Sequence, residues 1–133
     1  MPDIGTLSYE YEQASGLAEK LGALINQSDV GHVDRELRLQ VALALDGLVS
    51  LLDPLSEEAH DDDLTMRTPV GLARRLRRKD FEGHSYVDAV RGLRGQLRSA
   101  RQPLSAGDLQ LLRELRGATD HEVAVTFRRM VRR

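Results

Sequence analysis

Four histidines, one run of carboxylates and several rows of arginine are the side chains in this sequence with chemistry to offer. His32, His60, His84 and His121 lie far apart and near element boundaries, where an exposed histidine is the ordinary occurrence. The run 57–63 crowds Glu57, Glu58, His60, Asp61, Asp62 and Asp63 together, a donor set that suits a hard cation such as Ca²⁺ or Mg²⁺. It lacks the alternating spacing and turn glycine of a calcium loop, so we read it as a solvated like-charge run and expect no metal. The sequence has no glycine-rich phosphate loop, no H-E-x-x-H and no pair of E-x-x-H motifs. Cysteine is absent, which removes disulfides and thiolate metal sites and fits a reducing cytoplasm. Neither a cofactor nor a small-molecule ligand is expected.

The arginines matter through their placement. Residues 1–66 hold 14 acidic side chains against Lys20, Arg35 and Arg38, whereas residues 67–133 hold 16 basic side chains against 7 acidic ones. The formal net of −2 therefore hides an acidic half of −11 and a basic half of +9, with the sign changing within 57–79. Arginine outnumbers lysine 17 to 2, a usage that a GC-rich genome also produces, so position and net charge carry the argument. Arg91, Arg94, Arg98 and Arg101 recur at helical steps, and Arg74, Arg75, Arg77, Arg78 and Lys79 crowd the end of a short helix. Part of that crowd suits the negative end of the helix dipole. Surfaces of this kind neutralise phosphates and give salt-dependent affinity with little reading of base sequence. The nucleic-acid contacts expected are Arg74, Arg75, Arg78, Arg91, Arg94 and Arg98. Stacking on single strands is not expected, because Phe81, Tyr86 and Phe127 read as buried.

Two short resemblances attach to this basic half. Arg78 and His84, with five residues between them, resemble the R-x4–6-H element of the HEPN-type ribonucleases. In that all-helical family the resemblance implies Arg78 and His84 as a catalytic pair acting across a dimer. Lys79 follows the arginine where the family has a polar residue, and Gly83 with Ser85 puts His84 in a turn before a helix. Residues 104–133 resemble a helix-turn-helix in outline, with a capped leucine-rich helix, Gly117 and a second helix. The leading turns of that second helix hold Thr119, Asp120, His121 and Glu122, an acidic edge that DNA disfavours. An ordinary helical hairpin is the expectation there.

The elements that must position these residues read as helices throughout. A Leu/Ala/Arg/Glu-rich, β-branched-poor composition loses little rotamer freedom in a helix. Tyr11, Ala14, Leu17, Ala18, Leu21, Leu24 and Ile25 share one face over about 8–26, after Gly5 as a breaker. Ser28 or Asp29 is expected to cap a second helix over 29–52, whose stripe runs from Val30 and Val33 to Leu51 and Leu52. Leu39 and Leu43 fall on its opposite side, beside Glu36, Asp46 and Ser50. Either further helices cover them or they form a subunit interface. Thr68-Pro69 starts a helix to about 79, and Ser85 with Asp88 starts another to about 101 that buries Tyr86, Val90, Leu93, Leu97 and Ala100. Gly92, Gly95 and Ser99 make a bare third face there, which predicts close approach of a neighbouring helix. Ser105 with Asp108 opens a helix to about 116 that Gly117 ends. Thr119 with Glu122 opens a last one burying Val123, Phe127, Met130 and Val131.

The fold expected is therefore all-α, a single compact bundle of five to six helices over 1–133. No signal peptide follows Met1, and the longest apolar stretch, 41–52, is interrupted and too short to span a bilayer, so a cytoplasmic protein off the membrane is expected. The function expected first is a nucleic-acid-associated helical module without catalysis. The alternative is a protein–protein assembly module, a homo-oligomer or complex subunit, in which acidic and basic halves meet within or between copies. The acidic run 57–63 either covers the basic helices or leaves them open.

Overall fold

The computed structural model of the chain describes residues 4–52, 70–77, 80–81, 84–99 and 103–132. The fold is all-helical, with helices α1 (Ile4–Asp29), α2 (Arg35–Leu52), α3 (Val70–Leu76), α4 (Tyr86–Ser99) and α5 (Ala106–Val131). Four of these are long and α3 has seven residues. A two-residue antiparallel pairing, Asp80–Phe81 (β1) with His84–Ser85 (β2), takes the place of the turn expected before α4.

The first helix extends past both expected ends. Gly5 lies inside it, and Leu7 and Ala14 are fully buried, so the apolar stripe starts almost a turn earlier than the breaker suggested. Its C-terminus is a Schellman motif: Gly31 adopts φ 78°, its N–H donates to Ser28 O at 3.1 Å, and the His32 N–H donates to Gln27 O at 3.1 Å. Ser28 is thus spent inside α1, where its hydroxyl donates to Leu24 O at 2.8 Å. The cap of α2 is Asp34 instead, accepting from the Glu36 N–H at 3.1 Å, while the Asp34 N–H donates to Gln27 Oε1 at 2.8 Å. Val30, expected in the second stripe, sits in the turn and is 78% exposed.

At the other end of the chain, α5 corrects the expected hairpin. Ser105 and Asp108 make a reciprocal capping box, as the sequence predicts. The helix then continues for 26 residues through Gly117, so the described residues of 104–133 hold no helix-turn-helix. The Thr119 hydroxyl donates back to Leu115 O at 2.6 Å rather than capping a new helix. The buried stripe runs through Leu111, Leu112, Leu115, Ala118, Thr119, Glu122 and Thr126. It displaces Phe127 and Val131 into solvent.

α1 and α5 lie antiparallel along their length. Asp29 meets Arg113 at 3.1 Å near one end, Arg116 crosses the α1 backbone at Gly22, and Tyr11 packs on Phe127 with ring centroids 5.9 Å apart near the other. A Cβ at Gly22 would lie 2.9 Å from Arg116 Cζ, which makes Gly22 a glycine of close approach. Gly92 and Gly95, expected to serve that purpose, face open space. One apolar cluster joins all five helices, from Leu17, Leu21 and Leu24 through Val41, Leu45 and Leu48 to Leu72, Leu76, Val90, Leu93, Leu97, Leu112 and Leu115.

Candidate interaction surfaces

Two arginines close the ends of neighbouring helices. The last carbonyls of a helix have no intrahelical donor. Arg38 lies on the buried stripe of α2, 4% exposed, and reaches the end of α4: its Nε donates to Leu97 O at 3.3 Å and an Nη donates to Gln96 O. Burial pushes its pKa down, and the charge of Asp108 acts in the opposite direction. Arg77 does the same for α2, donating from Nε to Leu51 O at 3.1 Å and from an Nη to the same oxygen. Neither role was expected from the sequence. The signal for Arg38 was its spacing, three and seven residues before Val41 and Leu45.

The arginines expected on phosphate have nearer partners. Arg94 and Arg98 both bind Asp46 of α2, Arg94 at 3.2 Å and Arg98 in direct contact. Two guanidinium groups thus share one half-buried carboxylate across the α2–α4 contact. Arg75 of α3 lies 3.9 Å from the carboxylate of buried Glu122 on α5, and its own buried Nε finds no acceptor among the described residues. Arg91 is 3.7 Å from Asp88 on the same helix. The side chain of Arg74, and Arg78 as a whole, lie outside the described residues, as does the acidic run 57–63. His84 has its backbone in β2 and its side chain outside the description, so the Arg78–His84 pair has no geometry here. Tyr86, the first residue of α4, is buried, and its pKa is raised by burial and then by the charge of Glu114.

Among the described residues, two exposed surfaces combine large apolar side chains with neighbouring charge. On α2, Leu39 and Leu43 are 42% and 55% exposed, one helical turn apart, on the side opposite the buried stripe. No described helix covers them. At the C-terminal end of α5, Phe127 is 49% exposed against Tyr11, with Arg128, Arg129 and Arg132 exposed beside it. The expectation that Phe127 is buried is corrected: the unbroken helix turns Thr126 inward in its place. A cavity of about 180 Å³ between α1 and α2 is lined by Glu12, Gln13, Gly16, Leu17, Lys20 and Ala44, too small for most organic ligands. Among the described residues, no group of three metal-ligating side chains comes together, and no helix is long and apolar enough to cross a membrane. No protein family matches the chain, and neither does any curated protein or solved structure.

Proposed function

We propose that this chain, as one cytoplasmic bundle of five to six helices, is a protein–protein assembly module that docks through the outer face of α2. The observation that carries the reading is the pair Leu39 and Leu43, two large apolar side chains side by side in solvent on a helix whose other face builds the core. Exposed apolar pairs rimmed by charge are the usual anatomy of a contact surface. Support also comes from the cations. Arg75, Arg94 and Arg98 have acidic partners inside the fold, which lowers their availability to phosphate.

A second reading, nucleic-acid association, is favoured by the end of α5. Phe127 with Tyr11 offers an aromatic surface, and Arg128, Arg129 and Arg132 supply charge around it, the combination that single strands use. Site-specific photo-crosslinking separates the two. With p-benzoylphenylalanine in place of exposed Gln40, irradiation of cells expressing the chain is expected to give a protein adduct of discrete mass that disappears in Leu43→Asp. Absence of any adduct, together with low-salt binding of a labelled single strand that is lost in Phe127→Ala, would put the second reading in its place.

A further inference from the structure

The outer face of α2 has a symmetry of its own. Glu36, Leu39, Leu43 and Asp46 follow at steps of three, four and three, so the row reads the same in both directions about position 41: charge, leucine, leucine, charge. Both ends are carboxylates, but their surroundings differ in net sign: exposed Asp34 and Glu36 outweigh Arg35 at one end, leaving a net of one negative charge. Glu36 is exposed and its carboxylate has no ion-pair partner among the described residues. Asp46, at the other end, already holds Arg94 and Arg98, so that end carries one carboxylate and two guanidinium groups, an excess of one positive charge.

We infer that the occupant of this face is a second copy of the same chain, docked with α2 antiparallel to its counterpart about a two-fold axis at position 41. Reversing one copy of the row sets Leu39 of each chain against Leu43 of the other. It also sets each Glu36 against the positively charged Asp46–Arg94–Arg98 cluster of the other, twice in one interface. A two-fold contact requires such self-complementarity: residue i meets j, and j meets i. A parallel arrangement places Glu36 beside Glu36 and the cationic clusters together, which like-charge repulsion disfavours. The inference rests on the assembly reading and deepens it by naming the partner. The row covers ten helical steps, about 15 Å of axis, so the contact belongs with small and reversible interfaces.

The register makes the test sharp, because the chain has no cysteine of its own. Chains carrying Leu39→Cys and chains carrying Leu43→Cys, mixed and oxidised, are expected to give mainly the mixed disulfide. Like positions in the antiparallel pair stand about 6 Å further apart along the axis. Sedimentation equilibrium of the unaltered chain is expected to show reversible association toward twice 14.9 kDa. Leu43→Asp raises the dissociation constant at least about thirtyfold, and Glu36→Arg weakens the dimer more at low salt than at high salt. All three positions are exposed, and circular dichroism of each variant checks that it folds. A purely monomeric chain, or a Leu39→Cys chain that cross-links to itself as fast as in the mixture, overturns the inference. The photo-adduct distinguishes the two levels: a monomeric chain that still gives a discrete adduct to another protein sinks self-docking and leaves assembly standing. A monomeric chain with no adduct sinks both.

Discussion

Arg38 carries the most deeply buried charge among the described residues, and what holds it there is the end of another helix. Removing a guanidinium from water costs several kcal/mol unless its donors are satisfied. The carbonyls of Gln96 and Leu97 do this while being closed themselves, so one side chain resolves two problems at the α2–α4 contact. Arg38→Ala is expected to lower stability by about 3 kcal/mol, since it opens a cavity and takes the side-chain donor from Leu97 O, while Gln96 O keeps the Ser99 hydroxyl at 3.0 Å. Arg38→Lys loses nearly as much, because an ammonium on a flexible stem does not reproduce the planar fork that reaches both carbonyls. Arg35→Ala, one turn earlier and exposed, is the control, with a change within about 0.5 kcal/mol. Urea unfolding followed by circular dichroism measures all three. A loss at Arg38 no larger than at Arg35 would show that the buried fork does not hold the helices together.

At the scale of elements, α5 decides how the basic half is displayed. Its continuity through Gly117 moves the buried stripe onto Thr119, Glu122 and Thr126 and turns Phe127 and Val131 outward. Gly117→Ala is expected to stabilise the protein by about 1 kcal/mol, because a Cβ there meets nothing within 4 Å and alanine is the better helix former. If Gly117 were a left-handed terminus, alanine would destabilise by a similar amount, so the sign alone decides. The sequence favoured the wrong outcome for a physical reason. Thr119 with Glu122 has the spacing of a capping box, but the same residues fit a helix interior once Thr119 bonds Leu115 O and Glu122 meets Arg75. The first partner is the carbonyl four residues back, which exists only if the helix runs on, and the second is brought by α3, which the local pattern does not show. Where no such competition exists, the pattern was sufficient: Ser105 with Asp108 caps α5, and Tyr86, Val90, Leu93 and Leu97 face the core as their spacing predicts. Gly92 and Gly95 show the same limit in reverse, since a bare helical face says nothing about which neighbour, if any, comes close.

Over the whole molecule, the acidic and basic halves meet inside the fold at Asp29–Arg113 and at Asp46 with Arg94 and Arg98. Counting charges along the chain shows the asymmetry but not its pairing, because partners more than forty residues apart are chosen by how helices pack. Asp46 is the position where this matters most, since it holds two of the cations expected on phosphate. Asp46→Asn leaves both guanidinium groups without a carboxylate. If these arginines are available to a polyanion once released, affinity for heparin or a single strand rises at low salt. The slope of log affinity against log salt then steepens by up to about two, one increment for each cation that displaces counterions. The same substitution makes the cluster more positive opposite Glu36, so a dimer held through α2 tightens or stays as it was. An Asp46→Asn chain that binds polyanion no better than the unaltered one would mean that Arg94 and Arg98 serve only the fold. A rise in the variant would mean that the pairing with Asp46 is what keeps phosphate away from Arg94 and Arg98.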